Sequence, residues 1–506
     1  MTSTLLVLIL HYLSCRKNHP DTTTEMSLAL LTDLYQLTMA YGYWKLGRTE
    51  RSAVFHLFFR QPPFNGGYAV AAGLGPVIEF LDSFAFDDSD IEYLATLTGN
   101  DDKPLFESEF LSYLRDLRLS CDVDAMPEGT VAFGQEPLLR VRGPILQCQL
   151  LETALLNVIN FQTLIATKAS RIVAAAQGDA VLEFGLRRAQ GIDGGLSASR
   201  AAFIGGCAAT SNVLAGKKYG IPVKGTHAHS WVMSFDSEKD AFASFAAVLP
   251  NNCVFLVDTY DTLEGVQRAV DVGRRLRSQG LEMVGIRLDS GDLAYLSIEA
   301  RKILDDAGFP EAVIVASNDL DERIVESLKA QGAKVAVWGV GTRLATAYDQ
   351  PALGGVYKLG AMMDETGKWQ PKIKLSEQVI KTSIPGTLQV RRFETSTGFA
   401  GDIIYDESLG PDDRNTLVGL RDDTRRKCMP SDTEWTDLLQ PVMRQGQIVI
   451  PPEKLTVSRA RAERQLEKLH PSIRHQLNPH ESPVGLDIRL HELRARLTRE
   501  AREVTT

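Results

Sequence analysis

Two histidines stand two residues apart in the stretch KGTHAHSWVMSF, residues 224–235. Such a pair can bind zinc, but zinc needs further ligands at recognisable spacing, and the other histidines are scattered along the chain. The roles that stay open for His227 and His229 are a general base, a core histidine or a nucleophile. A neutral imidazole nitrogen can attack a phosphoryl group and form a phosphoenzyme.

More residues with useful chemistry follow the apolar runs of residues 180–342, each time where a run ends. They are Arg187, Arg188, Thr226, His229, Asp258, Asp261, Arg287, Asp289, Asp292, Asn318, Asp319, Gly339, Gly341 and Thr342. One such residue can be a helix N-cap, but six successive runs that end this way are hard to explain by capping alone. In a parallel barrel these ends surround one mouth, where active sites are built.

Two motifs at this mouth suit anions. In RLDSGD, residues 287–292, an arginine able to bind a carboxylate or phosphate in bidentate fashion stands beside two acids that can hold Mg²⁺ or sugar hydroxyls. A structural Arg–Asp pair, with Asp292 as a helix cap, is the alternative. GVGT, residues 339–342, can bind phosphate through backbone N–H groups, although a tight turn explains it equally well. Tyr35 and Phe184 could offer aromatic faces to a flat ring.

Strands and helices must alternate to bring these ends together. The apolar runs AVLEFG, IPVKGT, CVFLVDTY, MVGIRLDS, VIVASN and KVAVWGVG are separated by amphipathic helical stretches. This alternation predicts parallel strands, and continuous apolar runs fit strands buried on both faces. Six units favour an irregular (β/α) barrel, with a doubly wound sheet as the alternative. Residues 27–165 are mixed α/β, and the charged tail from Pro451 predicts helices with a solvated face.

Composition excludes several classes of protein. Of the 506 residues, 44% are hydrophobic and 24% charged, which is typical of a globular enzyme, and the net charge of −9 argues against broad nucleic-acid binding. Six scattered cysteines without a CxxC motif indicate reduced, buried thiols and a cytoplasmic protein. The apolar run at residues 5–10 lacks a basic flank and is too short to span a bilayer, so we expect no membrane segment.

Seven motifs together resemble those of nicotinate phosphoribosyltransferases, in the same order: LLTDLYQLTM, EFGLRRAQG, GTHAHSWVMSF, RLDSGDL, SNDLD, GVGT and GGVYKL. The match runs from about residue 27 to residue 385. It implies a type II phosphoribosyltransferase-like fold, an irregular α/β barrel with a smaller α/β domain. It also implies a homodimer whose active site borrows from the partner subunit. We expect a disordered, dispensable extension at 1–25, an N-terminal domain at 26–165, the barrel at 166–390, and a C-terminal segment at 391–506 that packs on the N-terminal domain and ends in a helical tail.

The activity that the resemblance implies is a step of NAD salvage. Nicotinate and 5-phosphoribosyl 1-pyrophosphate give nicotinate mononucleotide and pyrophosphate, with ATP hydrolysis coupled through a phosphohistidine. Breaking the bond from C1 to pyrophosphate develops positive charge on the ribose and a highly charged leaving group, which Mg²⁺ and arginines can stabilise. The ring nitrogen of nicotinate attacks, so the site needs positioning rather than a general base.

Roles for individual residues follow from the same resemblance. His229 resembles the phosphorylated histidine, because the family tolerates an apolar residue where this chain has His227. Tyr35 and Phe184 resemble the aromatic residues that cover the two faces of the nicotinate ring. The other candidates are Thr226 and Arg287 at nicotinate, Arg187 near the phosphates, Asp289 at the ribose hydroxyls or the metal, Thr342 at the phosphoribosyl phosphate, and Asn318 and Gly341 beside them.

Other functions stay open at this point. A nicotinamide or quinolinate phosphoribosyltransferase would share the fold, although the segment GGCAATSNVLAG offers Thr210, Ser211 and Asn212 without an acid, which favours nicotinate over its amide. A non-catalytic sensor of NAD metabolites is an alternative of another class. A sugar-processing barrel with Asp258 and Asp289 as acid and nucleophile would leave His229 and the phosphate loop unexplained.

Overall fold

The computed structural model describes residues 27–378, 382–430 and 433–503, so the predicted extension at 1–25 lies outside the described residues. The first part of the chain is mixed, as predicted. Its elements are α1 (Leu34–Lys45), β1 (Ser52–Phe59), β2 (Ala69–Val70), α2 (Leu74–Ser83), α3 (Asp88–Ala95), α4 (Ser108–Asp116), β3 (Asp122–Ala125), β4 (Val131–Ala132), β5 (Leu139–Pro144), α5 (Ile145–Leu150) and α6 (Glu152–Ala176).

The chain divides into two compact units. The smaller unit comprises residues 27–31 and 83–118 and contains α3 and α4. Helix α3 begins at a capping box: the Asp87 carboxylate accepts from the Asp90 N–H, and the Asp90 carboxylate accepts from the Asp87 N–H. The larger unit, residues 32–82 and 119–503 of the described chain, contains all the sheets and every candidate site residue.

Regular alternation of strand and helix begins after α6. The elements are β6 (Ala180–Glu183), α7 (Gly191–Ile204), β7 (Ala209–Thr210), α8 (Val213–Tyr219), α9 (His229–Met233), α10 (Glu238–Val248), β8 (Val254–Leu256), α11 (Thr262–Ser278), β9 (Gly285–Leu288), α12 (Leu293–Asp306), β10 (Val313–Ala316), α13 (Glu322–Ala330), β11 (Val337–Val340) and α14 (Thr342–Ala345). The strands form a parallel sheet in the order β7-β6-β11-β10-β9-β8.

This strand order is that of a barrel. Strands that follow each other along the chain are neighbours in the sheet, except β7 and β8, and the last strand, β11, pairs with the first, β6, whereas a doubly wound sheet would reverse at a switch point. The predicted parallel α/β fold is confirmed with one correction, because IPVKGT makes only a bridge from Val223 to Thr210. Pro222 has no N–H to donate to a ladder, so this strand cannot extend, and no ladder joins it to β8 within the described chain.

The last part of the chain is mostly antiparallel. Its elements are β12 (Gly355–Met363), β13 (Trp369–Pro371), β14 (Leu388–Thr395), β15 (Gly398–Asp406), β16 (Thr416–Gly419), β17 (Arg426–Cys428), β18 (Glu434–Asp437), β19 (Gln440–Arg444), β20 (Gln447–Ile448), α15 (Leu455–Lys468), β21 (Val484–Asp487) and α16 (Ile488–Glu503). One sheet has the order β17-β16-β21-β15-β14-β18, and β2 pairs with β4.

A seven-stranded sheet combines distant parts of the chain in the order β13-β12-β1-β5-β3-β19-β20. Strand β1 is buried along almost its whole length, and Phe55 stacks on Tyr357 of β12 with ring centroids 5.0 Å apart. The C-terminal strand β19 pairs with β3 of the N-terminal part. The domain limits given above stay predictions.

The charged tail is not wholly solvated, which corrects the sequence interpretation. From α15, Arg459 donates to the carbonyls of Gly206 (3.1 Å) and Cys207 (2.8 Å), and Arg461 donates to the carbonyl of Glu128 (2.6 Å). Some of the charged side chains of α15 therefore bind the tail to the rest of the larger unit instead of facing solvent. None of the helices in the described ranges has the length and apolar character needed to cross a bilayer.

Candidate active site

Arg287 is the centre of a hydrogen-bonded group at the mouth of the barrel. It lies on β9, with its side chain 14% exposed. Its Nε donates to Ser317 Oγ (2.9 Å), its Nη1 to Thr226 Oγ1 (3.1 Å) and its Nη2 to Asp289 Oδ1 (2.9 Å). Three partners from three strand ends fix the plane of the guanidinium, which leaves its remaining N–H groups to bind a planar anion.

An aromatic ring lies beside this guanidinium. Phe184 follows β6, and its N–H donates to the Val340 carbonyl (2.8 Å). The centre of the Arg287 guanidinium is 5.8 Å from the centroid of the Phe184 ring. A Cβ atom at Gly339 would come within 2.8 Å of that ring, so the first glycine of GVGT makes room for the aromatic side chain.

Glu183 holds the loop around Phe184 together. Its carboxylate is buried and accepts from the Gly185 N–H, from Ser199 Oγ (2.8 Å) and from Thr210 Oγ1 (2.6 Å). Asn212 is also buried; it caps α8 and donates from Nδ2 to Ser199 Oγ (3.2 Å). Thr210 and Asn212 therefore build the loop, and the acid behind them is occupied by hydroxyl and amide donors.

His229 lies between a hydroxyl group and two carboxylates. It is the first residue of α9, and its side chain is 41% exposed. Its Nδ1 is 3.1 Å from Thr259 Oγ1, while its Nε2 is 4.0 Å from Asp258 Oδ1 and 3.9 Å from Asp289 Oδ2. The ring is thus held on one side and faces negative charge on the other.

Asp258 is the more buried of the two acids, with a side chain only 1% exposed. Its Oδ2 accepts from the Asp289 N–H (2.9 Å) and from Ser290 Oγ (2.6 Å). Its Oδ1 is buried and has no hydrogen-bond partner within the described chain. A buried carboxylate oxygen without a donor costs about 1–3 kcal/mol, so a hydrogen-bond donor or a metal cation from a ligand is favoured at this position.

Three family models match the chain: the nicotinate phosphoribosyltransferase N-terminal domain at residues 30–160, the nicotinate phosphoribosyltransferase family at 180–396, and its C-terminal domain at 389–494. A nicotinate phosphoribosyltransferase from Bacillus subtilis is 49% identical over 393 residues, covering 77% of this chain and 78% of the relative. One from Homo sapiens is 36% identical over 522 residues, covering 92% and 95%.

The chain belongs to the nicotinate phosphoribosyltransferase family. The crystal structure of human nicotinic acid phosphoribosyltransferase covers 92% of this chain and all of that chain, with a TM-score of 0.80 at 34% identity. A nicotinate-nucleotide pyrophosphorylase from Pyrococcus furiosus shares the fold, with a TM-score of 0.68 at 22% identity over 89% of this chain and 98% of that one. The predicted family and fold class are confirmed.

His227 and His229 have different surroundings. His227 is buried, and its Nε2 accepts from the N–H of Leu256 (3.3 Å), whereas His229 faces the acids. Within the described residues no group of three or more His, Cys, Asp or Glu side chains is arranged to hold a metal on its own. The alternative of a zinc pair has no support from this geometry.

Several strand-end residues of the nicotinate phosphoribosyltransferase barrel lie outside this group. Asp261 and Asp292 are helix caps, which accept from the N–H groups of Glu264 (2.9 Å) and Tyr295 (3.0 Å). For Asp292 this agrees with the capping alternative given in the sequence analysis. The others are Arg187 and Arg188, exposed in a 3₁₀ turn; Asn318 and Asp319, exposed at positive φ of 100° and 45°; and Gly341 and Thr342, half-buried at the start of α14.

Tyr35 is not brought to Phe184 by any contact within the described chain. It is half-exposed on α1. Burial raises the pKa of its hydroxyl, and the charges of Glu152 and Asp33 act in the same direction. One chain therefore does not assemble the two aromatic faces predicted for the ring.

Sequence reasoning missed three residues of the site, Ser317, Thr259 and Glu183. Each belongs to one of the apolar runs named above, and the signal was its place at a strand end. A group of cations elsewhere in the larger unit, Arg60, Lys358 and Lys374, was also missed. Burial lowers the pKa of Lys358, the charges of Arg60 and Lys374 act in the same direction, and Glu152 opposes them. A site for a negatively charged group is what such unbalanced charge favours.

Proposed function

We propose that this protein forms nicotinate mononucleotide and pyrophosphate from nicotinate and 5-phosphoribosyl 1-pyrophosphate, coupled to ATP hydrolysis through a phosphohistidine at His229. The observation that carries the proposal is the joint position of Arg287, Phe184 and His229 at one barrel mouth, in a chain of this family. In class it is a glycosyl transfer with ligase-type energy coupling, in the cytoplasm.

Nicotinate fits the group around Arg287. Its carboxylate can pair with the outer N–H groups of the guanidinium while Thr226, Asp289 and Ser317 hold the inner ones. The pyridine ring can lie on Phe184, close to that cation. A ring fixed in this way has its nitrogen lone pair free to attack C1 of the ribose, which needs no proton transfer.

The second aromatic face would come from Tyr35 of another copy of the chain. Tyr35 is half-exposed, and no contact places it near Phe184 within one described chain. Glu152 acts on both Tyr35 and Lys358, and the cations Arg60 and Lys374 act on Lys358, so positive charge near Tyr35 suits a face that meets phosphate groups. This arrangement supports the homodimer implied by the family.

The contacts of His229 support its proposed role as the phosphoryl acceptor. Thr259 holds one ring nitrogen, so the imidazole cannot rotate freely, and the carboxylates of Asp258 and Asp289 lie within 4.0 Å of the other. A fixed ring reduces the entropy lost on reaction. The phosphohistidine adds negative charge at the mouth, which can reorder the site for phosphoribosyl pyrophosphate.

The residues present fit Mg²⁺ as an ion shared with substrate phosphates. Mg²⁺ is usually bound by one or two carboxylates together with phosphate oxygens and water. Asp289 and the unpartnered Oδ1 of Asp258 supply two carboxylates, and no all-protein cage is found within the described residues. When bound, the ion would neutralise the pyrophosphate leaving group. Asp289 also keeps Arg287 in place through its other oxygen.

A product assay tests the proposal. The purified protein is incubated with phosphoribosyl pyrophosphate and Mg²⁺, with nicotinate, nicotinamide or quinolinate in parallel, each with and without ATP. We expect nicotinate mononucleotide as the main product, formed faster with ATP. Preference for nicotinamide or quinolinate would support the alternative transferases, and substrate binding without any product would support a metabolite sensor.

A further inference from the structure

The barrel has one open side, and the proposal concerns the side chain that closes it. Strand pairing runs without interruption from the bridge at Val223 through β7, β6, β11, β10 and β9 to β8. No ladder of the described residues connects Val223 with β8. The segment that crosses this opening, residues 224–228, leads directly to His229.

Strand β8 leaves a backbone N–H group facing the opening. Successive N–H groups of an extended strand point to opposite sides. The N–H of Val257 donates to the Arg287 carbonyl on β9 (3.2 Å). The N–H of the preceding residue, Leu256, donates instead to Nε2 of His227 (3.3 Å). The imidazole therefore takes the place that a carbonyl of a neighbouring strand would have.

The surroundings of the His227 ring keep water away from this bond. The residue is 7% exposed, and its ring centroid lies 5.0 Å from Phe245, 6.0 Å from Phe242 and 6.5 Å from Phe255. Burial lowers the pKa of His227; the charges of Arg287 and His229 act in the same direction, and the carbonyl of Ala228 opposes them. A neutral ring with its proton on Nδ1, 3.4 Å from that carbonyl, leaves Nε2 as the acceptor.

We propose that His227 is a positioning residue that closes the barrel through the Leu256 N–H and thereby holds Thr226 and His229 in place. Thr226 and His229 flank His227 in the chain. Thr226 accepts a hydrogen bond from Arg287, and His229 lies between Thr259 and the two acids. An apolar residue, as this family tolerates here, would fill the aromatic pocket but would leave the Leu256 N–H without its acceptor. The inference deepens the proposed function, on which its activity readout rests.

The test compares His227→Leu with His227→Gln. Leucine keeps apolar volume without an acceptor, whereas the glutamine amide oxygen can reach the region of Nε2. Phe242→Leu is the matched control, because it disturbs the same aromatic pocket and leaves the hydrogen bond intact. For each full-length variant we measure synthesis with and without ATP, the yield of phosphohistidine, and hydrogen–deuterium exchange of peptides containing Leu256.

We expect His227→Leu to lower the ATP-stimulated rate and the phosphohistidine yield about tenfold, more than it lowers ATP-independent synthesis, and to speed exchange at Leu256 by a similar factor. His227→Gln should retain most of the ATP-stimulated rate and most of the protection of Leu256 from exchange. Phe242→Leu should keep the wild-type ratio of the ATP-stimulated rate to the ATP-independent rate. A folded His227→Leu protein with wild-type ATP stimulation and wild-type exchange would overturn the proposal, as would equal loss in all three variants. If the wild type makes no product, the proposed function fails, and the exchange measurement still decides whether His227 closes the barrel.

Discussion

Two clusters in the larger unit contain the same residue types, an arginine with two carboxylates, and they differ in exposure. Arg392 is 1% exposed and donates from Nε to Asp402 Oδ1 (3.0 Å), from Nη2 to Asp402 Oδ2 (2.5 Å), and from Nη1 to Gln465 Oε1 (3.0 Å). Glu136 is buried beside them. At the barrel mouth, Arg287 and Asp289 are 14% and 26% exposed. Each cluster has one buried carboxylate oxygen without a hydrogen-bond partner in the described chain, Oε1 of Glu136 and Oδ1 of Asp258, so exposure is what distinguishes them.

Charge balance explains the difference. Burial raises the pKa of Glu136 well above its usual value, and the neighbouring Asp402 charge acts in the same direction, so one acid is neutral and the buried cluster carries no net charge. A balanced, buried cluster maintains structure. The mouth cluster has two acids facing a half-exposed histidine, with room for a ligand. Unsatisfied charge next to solvent therefore separates a reactive site from a structural one.

The largest expected effect is at the mouth. His229→Ala should abolish ATP hydrolysis, by at least about 10³-fold, because it removes the only proposed phosphoryl acceptor, and it should leave slow ATP-independent synthesis. Transfer of a radiolabelled γ-phosphoryl group from ATP, with its acid lability and base stability, gives the measurement. ATP-stimulated synthesis by the folded variant, or a label that maps to His227, would refute the assignment.

In the buried cluster, Arg392→Met should affect stability instead. It leaves Asp402 without its cation, so the free energy of unfolding should fall by about 3–5 kcal/mol, measured by urea denaturation. The control is Arg391→Met, whose partner Asp437 is 28% exposed and whose loss should be smaller. If Arg392→Met lowered ATP stimulation at a temperature where it is fully folded, the division between structural and reactive clusters would be wrong.

At the barrel mouth, Arg287→Lys should lower kcat/KM for nicotinate about 10- to 100-fold. An ammonium group cannot replace the three directed hydrogen bonds of the guanidinium together with its planar pair of N–H groups for the carboxylate. The urea midpoint should change little. Arg277→Lys serves as control, since Arg277 forms a similar fork with Glu282 on the surface. Unchanged KM values for both substrates would exclude Arg287 from binding.

The sequence could predict what depends on strand ends. The C-terminal ends of parallel strands meet, so the residue pattern alone places Arg287, Asp289 and His229 together. It could not separate Asp292, a helix cap, from Asp289, because both are aspartates in one motif. That distinction depends on which carboxylate the first turn of α12 captures.

Contacts between distant segments were beyond the sequence for a different reason. Strand β19 pairs with β3 across more than 300 residues, and neither strand shows in its own pattern which partner it will choose. Pro222 did carry a readable signal against a full strand, which the apolar pattern of IPVKGT outweighed. The proposed role of Tyr35 involves a second copy of the chain, which no single-chain pattern describes.

The smallest expected effect is a pH dependence of the buried cluster. In the folded protein the raised pKa keeps Glu136 protonated, whereas in the unfolded chain it ionises near its ordinary pKa. Between those two values the folded state holds one more proton, so the free energy of unfolding must fall as pH rises from about 5 to about 8. Glu136→Gln cannot ionise, so it should match the wild type near pH 5 and exceed its stability at pH 8. Urea denaturation of both proteins at the two pH values measures the difference. A wild-type advantage that grows with pH would mean that Glu136 is ionised in the folded state, and the cluster would then be as unbalanced as the mouth.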